Sequence, residues 1–151
     1  MKNVLEIGVG LHRRPDTTVA IDKTKTKFTD IVRDVAKRGI PFNDNYFDKV
    51  NCFDVIEHIE NYQDLIFLFN EIWRVLKPDG LFEFTTVQGI NGFAHLSHHR
   101  SFFVASFDYL KKSDSEDYNH MRRTDGIEAN FKISFDEAAE GWLYGKFNAI
   151  K

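Results

Sequence analysis

The sequence predicts an α/β domain in which helices flank a mostly parallel sheet. Two observations lead to this prediction. Short apolar segments that end on an acidic residue or open into glycines recur through the first half of the chain, as expected of parallel strands whose ends form a binding edge. Residues 47–87 then read as strand, helix and strand, an order that implies two parallel strands joined by a right-handed crossover.

The composition fits one globular domain over residues 1–151. Hydrophobic residues make up 42% of the chain and aromatic residues 15%, with fifteen Phe, so we expect a core of large flat side chains. The 20 Lys and Arg residues against 23 Asp and Glu residues give a net charge of -3. This charge creates no global field that would attract nucleic acid or an anionic membrane.

Cysteine usage and hydropathy predict a cytoplasmic protein. The single cysteine, Cys52, excludes an internal disulfide and fits a reducing compartment, where it would be a small core residue. The N-terminus lacks the apolar run of a signal peptide, and no stretch approaches the roughly 18 consecutive apolar residues of a membrane span.

The first strand leads into a glycine turn. Residues 4–7 are apolar apart from Glu6, and Gly8-Val9-Gly10 follows directly. Glycine suits this turn because the backbone must adopt torsions that a Cβ would penalise, and because a ligand can then approach the main chain closely. We therefore expect the turn to contact a ligand.

Two further strands end on carboxylates. The strand over residues 17–22 ends on Asp22, at a point where an acid can accept both hydroxyls of a ribose. The third strand, residues 31–34, ends on another acid. The connection at residues 11–16 is too short and too broken by Pro15 for the long helix that usually joins parallel strands. We therefore expect a loop there.

The best-defined helix follows the fourth strand, residues 49–54. Apolar residues recur at spacings of three and four from residue 62 to residue 77, which places them on one helix face. Asn61 can cap this helix, and the turn at residues 78–80 ends it. A fifth strand then covers residues 81–87.

The second half of the chain is less regular. A glycine- and histidine-rich loop occupies residues 88–100, a short helix residues 103–111, and a charged, irregular stretch residues 112–126. Two late strands are predicted, at residues 130–135 and 142–150.

Six motifs occur in one order along the chain: the glycine turn of residues 6–10, Asp22, Asp34, Pro41-Phe42 with residues 45–48, residues 55–59, and residues 73–80. Their order and spacing over residues 4–110 resemble class I S-adenosylmethionine-dependent methyltransferases, particularly the short, type 11-like members. The resemblance implies a Rossmann-like three-layer sandwich with a mostly parallel, seven-stranded or slightly reduced sheet. It also implies an antiparallel C-terminal strand and an abbreviated first helix.

The resemblance further implies S-adenosylmethionine as cofactor. Asp22 would bind its ribose, and Asp34 would accept the exocyclic amine of its adenine. Two departures, His12 in place of the family's third glycine and the short first connection, predict modest affinity. The implied cofactor-binding residues are Glu6, Gly8, Val9, Gly10, Asp22, Asp34, Val35 and Phe53.

The implied reaction is methyl transfer to an unidentified acceptor, with a small molecule or a glycan-type metabolite favoured. An oxygen acceptor must lose a proton, and candidate bases lie in the loop that follows the fifth strand. The family has a similar His-x-Arg-x-Phe stretch near its substrate face, so His98 is the first candidate base and His95 the second. By residue type, His95, His98 and His99 could together bind zinc, but the adjacent His98 and His99 tend to point apart, so we expect no metal site.

Other roles compete with these assignments. The loop histidines could brace the loop, Glu57 and His58 could brace the turn after the fourth strand, and Asp34 could cap the turn that follows it. Two other functions also stay open: a cofactor-binding module of the same fold without turnover, and a nicotinamide-dependent oxidoreductase, which also uses a glycine turn and an acid on the ribose.

A partner is expected at the cofactor cleft. Because the chain begins at the first strand, we expect a cleft that is open on one side. A second copy of the chain, a partner protein or a large acceptor would complete it. We expect neither a membrane nor nucleic acid as partner.

Overall fold

The computed structural model describes residues 2–136 and 139–151. It is built around one seven-stranded sheet with the strand order β3-β2-β1-β4-β5-β7-β6. The strands β1 to β5 pair in parallel, whereas β7 runs antiparallel to β5 and to β6. The predicted mostly parallel sheet with an antiparallel C-terminal strand is therefore confirmed. The strands are β1 (Val4–Ile7), β2 (Val19–Asp22), β3 (Ile31–Val32), β4 (Phe47–Phe53), β5 (Leu76–Val87), β6 (Phe131–Asp136) and β7 (Trp142–Ala149).

The longest helix forms where the apolar spacing predicts it. Helix α2 (Tyr62–Val75) begins at Asn61, whose side chain accepts a hydrogen bond from the Gln63 backbone N–H, and it buries Leu65, Leu68 and Ile72. It ends two residues before the predicted Lys77, because Leu76 already pairs with β4 as the first residue of β5. The other helices are α1 (Val35–Arg38), α3 (Glu116–Thr124) and three 3₁₀ helices, at Ile56–His58, Gly89–Phe93 and Val104–Leu110.

Helix α3 corrects one prediction. It lies inside the stretch predicted to be irregular, and Ser115 caps it by accepting from the Tyr118 backbone N–H. Acidic residues occupy its first turn and arginines its last turn, as the helix dipole favours. The charge pattern therefore marked a helix rather than a solvated loop.

Two turns also differ from their prediction. The third strand is only two residues long, and the short helix α1 follows it, so Asp34 lies between the two. Residues 78–80 lie within β5, where the pairing with β4 shifts register and Asp79 has a φ of 59°. The sequence correctly places a break there, but the structure resolves it as an irregularity within one strand.

The first connection lacks a helix, as predicted. Residues 8–18, all of them described, join β1 to β2 through turns and loop. Glu6 holds this loop by accepting from the Arg14 backbone N–H at 3.0 Å and from Thr17 Oγ1 at 2.5 Å. A buried carboxylate thus fixes the loop where a helix would otherwise cover the sheet.

The two faces of the sheet differ in chemistry. On one face, the stacked rings of Phe82 and Phe84 join a hydrophobic cluster that also contains buried residues of α1 and α2. On the other face, Glu6, Asn51 and Glu83 lie side by side on β1, β4 and β5. The predicted core of large aromatic side chains is confirmed by the six fully buried phenylalanines: Phe47, Phe82, Phe84, Phe107, Phe131 and Phe147.

The remaining sequence predictions concern cysteine and membrane spans. Cys52 is fully buried on β4, and burial raises the pKa of its thiol, as expected for a core residue. In the part of the chain that the structure describes, no helix combines the length and apolar character that a bilayer crossing requires.

Candidate functional site

A cleft of about 1020 Å³ runs along the carboxyl ends of four neighbouring strands. Its floor is formed by residues at or just beyond the ends of β1, β2, β3 and β4, because parallel strands present their ends at one edge of the sheet. Residues 58–61 and two residues of the loop after β5, Ser97 and His99, form another part of its wall.

The glycine turn lies at the centre of this edge. Gly8 lines the cleft, has a φ of +74° and donates from its N–H to the Ile21 carbonyl at 2.8 Å. A Cβ on Gly8 would lie 2.3 Å from Val55 Cγ2, so the glycine is needed for packing as well as for its left-handed torsion. Val9 is buried beneath the turn, and Gly10 contributes through its backbone rather than as part of the cleft lining.

Asp22 is joined directly to the glycine turn. Its Oδ2 accepts from the Gly10 N–H at 2.9 Å and its Oδ1 accepts from the Thr24 N–H at 2.8 Å, while the residue lines the cleft. Each carboxylate oxygen has a second lone pair, so the side chain can still accept from hydroxyl groups of a ligand. The structure thus brings together the turn and the acid that the sequence placed twelve residues apart.

Asp34 and Val35 lie at the β3 side of the cleft. Asp34 precedes α1 but makes no side-chain hydrogen bond to cap it, so the alternative that it serves as a helix cap is wrong. Both residues line the cleft, and the Val35 side chain is buried there. The uncommitted carboxylate of Asp34 can accept a hydrogen bond from a ligand.

Besides Val9 and Gly10, two more of the predicted cofactor residues, Glu6 and Phe53, are not part of the cleft lining. Glu6 braces the loop that follows the turn, and the Phe53 ring lies under the guanidinium of Arg14, which is 3.5 Å from the ring centroid. The next residue, Asp54, lines the cleft instead, with a φ of +56°. Its Oδ1 accepts from Thr85 Oγ1 at 2.5 Å. Sequence reasoning missed Asp54, although it repeats the pattern of an acid at a strand end.

Three histidines cluster at the far side of the cleft. The ring centroids of His58 and His98 are 4.8 Å apart, and those of His95 and His98 are 4.9 Å apart. Of the described histidines, His58 and His99 line the cleft, whereas the first candidate base, His98, lies behind His58 in the same cluster. His58 therefore faces the cleft and does not serve only as a brace of the turn after β4, whereas Glu57 is not part of the cleft lining.

Backbone carbonyls fix the two inner histidine rings. His58 Nδ1 lies 3.0 Å from the Ser97 carbonyl, and His98 Nδ1 lies 2.8 Å from the Gly92 carbonyl. A carbonyl oxygen can only accept, so Nδ1 carries the proton and Nε2 keeps its lone pair in each neutral ring. Burial lowers the pKa of His58, and the nearby His98 and His95 act in the same direction, which favours the neutral ring.

Glu57 lies beneath the histidines and is fully buried. Its Oε2 accepts from Thr86 Oγ1 at 3.1 Å, while its Oε1 has no hydrogen-bond partner among the described residues. Burial raises the pKa of this carboxyl group.

Long-range contacts hold this part of the site together. The His99 N–H donates to the Glu57 carbonyl at 2.9 Å. Arg100 donates to the carbonyls of Ile59 and Glu60 at 3.1 and 2.6 Å. The loop after β5 is thereby fixed against the segment that follows β4.

The fold and the cleft define a class I methyltransferase. A family model described as a methyltransferase domain matches residues 8–84, which is 77 of the 151 residues and thus just over half of the chain. The chain therefore belongs to this methyltransferase family, and the recognition made from the sequence motifs is confirmed. Membership implies S-adenosylmethionine as the cofactor.

Solved structures of low sequence identity share the fold. An S-adenosylmethionine-dependent methyltransferase from Archaeoglobus fulgidus has a TM-score of 0.63 at 12% identity, with 97% of this chain and 86% of that chain covered. The PH0226 protein from Pyrococcus horikoshii OT3 has a TM-score of 0.60 at 16% identity, with 98% of this chain and 82% of that chain covered. The N-methyltransferase NodS from Bradyrhizobium japonicum WM9 has a TM-score of 0.58 at 12% identity, with 99% of this chain and 86% of that chain covered. A search of curated proteins found no match.

Proposed function

We propose that this chain transfers a methyl group from S-adenosylmethionine to a small-molecule acceptor. The observation that carries the proposal is the succession of groups along the cleft. In the strand order β3-β2-β1-β4, the lining residues are Asp34, Asp22, Gly8 and Asp54. An extended nucleoside with an amino acid tail meets its complementary groups in that order.

The nucleoside end of the cleft consists of Asp22, Asp34 and Val35. The Asp34 carboxylate, which makes no cap, is suited to accept from the adenine amine, and Asp22 is suited to accept from the ribose hydroxyls. Gly8 lets the tail of the cofactor pass the main chain, and Asp54 offers a negative charge for its amino group.

The acceptor end of the cleft consists of His58, Ser97 and His99, with His98 behind them. When bound, the cofactor supplies a methyl group already activated by a sulfonium. In their neutral rings, His58 and His98 carry the lone pair on Nε2, which is suited to take up the proton that an acceptor hydroxyl must lose, directly or through a group that they hold.

The size of the cleft and the exposed apolar residues of the loop that provides Ser97 favour a small acceptor. A volume of about 1020 Å³ reaches the upper end of the roughly 300–1,000 Å³ usual for ligand pockets, which leaves room for an acceptor beside the cofactor. The loop that provides Ser97 also exposes Ile90, Phe93 and Leu96. Of the two acceptor classes expected from the sequence, these exposed apolar side chains on the loop of Ser97 favour a small molecule with an apolar portion over a glycan-type metabolite.

Binding and turnover measurements test the proposal. In calorimetry, the purified chain is expected to bind S-adenosylmethionine and S-adenosylhomocysteine but not NAD. Labelled S-adenosylmethionine should then transfer its label to the small-molecule fraction of a cell extract. A heat-inactivated sample and Asp22→Asn serve as controls.

Each other outcome points to a different function. Binding without any turnover would support a cofactor-binding module, which the helix-free first connection at residues 8–18 also favours. Binding of NAD alone would indicate an oxidoreductase. Failure to bind S-adenosylhomocysteine would reject the proposal.

A further inference from the structure

We propose that Glu57, His58 and His98 form a binding site for a divalent transition-metal ion such as Zn²⁺. Each of the three residues offers one ligand atom, and these atoms all lie within 4.8 Å of one another. Two imidazoles and one carboxylate form a donor set that binds such ions and leaves coordination positions open for other ligands.

The two histidines are already prepared as ligands. Histidines that bind metals usually donate their other ring N–H to a carbonyl or carboxylate, which fixes the tautomer and the ring orientation. His58 and His98 do this toward the carbonyls of Ser97 and Gly92, so that each presents an Nε2 lone pair. The two carbonyls come from the same loop after β5, which therefore sets both rings.

The burial of Glu57 supports a cation site independently of the two histidines. The side chain is fully buried, and its Oε1 has no hydrogen-bond partner in the part of the chain that the structure describes. Leaving a carboxylate oxygen buried and unpaired is costly, whereas coordination to a cation would satisfy it. The other oxygen is held by Thr86, which orients the group.

The donor types select the class of ion. Imidazole suits Zn²⁺ and similar first-row ions, whereas Mg²⁺ and Ca²⁺ prefer oxygen ligands. Donor atoms at about 2.1 Å from a tetrahedral ion lie about 3.4 Å apart, so the three groups need to close by little more than an ångström. His58 and His98 are partly exposed, and the loop after β5 that holds both rings would have to shift by about this distance when the ion binds.

This set differs from the one considered in the sequence. A site of His95, His98 and His99 was rejected there, and in the structure His95 stacks on His98 while Glu57 and His58 come from the segment after β4. The sequence prediction of no metal site considered only histidines of one loop, which lie close together in the sequence.

The role of the metal site in the reaction rests on the proposed function, whereas the test of metal binding does not. His58 lines the cleft at the acceptor end, so an ion held by it would lie beside the acceptor. A bound divalent ion lowers the pKa of a hydroxyl that coordinates to it, and the hydroxyl then loses its proton more readily.

Metal titration of the metal-free chain tests the site without cofactor or acceptor. We expect one equivalent of Zn²⁺ to bind, Co²⁺ to give visible absorption bands of a low-coordinate site, and Mg²⁺ not to bind. His58→Ala, His98→Ala and Glu57→Gln should each weaken Zn²⁺ binding at least about a hundredfold. His120→Ala, which removes an exposed histidine on α3, is the matched control and should bind as the unaltered chain does.

Three results would overturn the inference: no Zn²⁺ binding by the unaltered chain, Zn²⁺ binding that persists in both histidine variants, and loss of Zn²⁺ binding in His120→Ala. Circular dichroism checks folding, and if Glu57→Gln does not fold, the variants of the two partly exposed histidines decide. Calorimetry of the same metal-free chain with S-adenosylhomocysteine separates the two proposals, because metal binding without nucleoside binding would support the site and reject the proposed function.

Discussion

The two ends of the cleft are built in different ways. The residues of the nucleoside end, Asp22, Asp34 and Val35, lie at or within three residues of the end of a short parallel strand. At the acceptor end, His58 meets Ser97 across 39 positions of sequence, and the contact is a hydrogen bond between two loop segments. Strand ends therefore define one part of the site, and a loop fixed by long-range contacts defines the other.

This difference indicates which end of the cleft tolerates substitutions. Backbone torsions and sheet register hold the nucleoside end, so its geometry depends on a few local residues. The acceptor end depends on carbonyl contacts made by His58, His98 and Arg100, so it can be loosened without unfolding the sheet. Five changes would break or sharpen this comparison.

The largest effect is expected for Gly8→Ala, at the junction of the two ends. The added Cβ would meet Val55 at 2.3 Å in a residue whose φ is +74°, so we expect a loss of about 2–4 kcal/mol in the free energy of unfolding. Gly10→Ala is the matched control. It has a similar torsion but an open Cβ position, and it should lose only about 1 kcal/mol. Equal losses in urea unfolding would show that the Val55 contact is unimportant.

Asp22→Asn should weaken binding of S-adenosylhomocysteine about tenfold to a hundredfold. The amide cannot accept hydrogen bonds on both terminal atoms, and bonds to a charged acceptor contribute roughly 1.5–3 kcal/mol. Calorimetry measures the change. Asp16→Asn, an exposed acid outside the cleft lining, should leave the affinity as it was; a similar loss there would point to net charge instead.

Asp34→Asn should weaken binding of S-adenosylhomocysteine by about tenfold or less, because the substitution removes one hydrogen bond to the adenine amine. A thermodynamic cycle sharpens this prediction. The analogue that carries hypoxanthine in place of adenine should bind the unaltered chain more weakly, but should lose little further affinity in Asp34→Asn. Additive losses would place Asp34 away from the amine.

At the acceptor end, Arg100→Ala should cost about 1–2 kcal/mol of unfolding free energy, because two carbonyls lose their donors. Binding of S-adenosylhomocysteine should change less than in Asp22→Asn, since the nucleoside end does not depend on this loop. Denaturant unfolding and calorimetry on the same preparation give both values. If Arg100→Ala weakened binding of S-adenosylhomocysteine as much as Asp22→Asn does, the two ends of the cleft would be coupled.

The smallest effect concerns Glu57→Gln in metal-free buffer. Burial raises the pKa of Glu57 in the folded chain, so the folded chain keeps this proton at pH values where the unfolded chain has released it. Stability therefore falls as the pH rises from the unfolded pKa through the folded pKa. We expect Glu57→Gln to be slightly more stable than the unaltered chain at neutral pH, with the difference vanishing at acidic pH. A constant difference across the pH series would contradict this reason.

The nucleoside end was largely predictable from particular residues. Asp22 and Asp34 close apolar segments, Gly8 opens a turn after one, and all three line the cleft. Asp54 follows the same rule and was missed, because attention went to the preceding Phe53. The charged helix α3 was also missed, although Ser115 and the acidic first turn marked its start.

The sequence by itself determined the strands, the helix after β4 and the sheet edge that carries the cleft, because apolar periodicity and glycine torsions act over a few residues. Only the tertiary structure decided that Glu57, His58 and His98 meet, that both imidazoles keep Nε2 free, and that His95 stays outside the group. The physical reason is that these contacts join the segment after β4 to the loop after β5. The crossover and the sheet packing between these two segments set the geometry of the contacts, so no local sequence pattern predicts it.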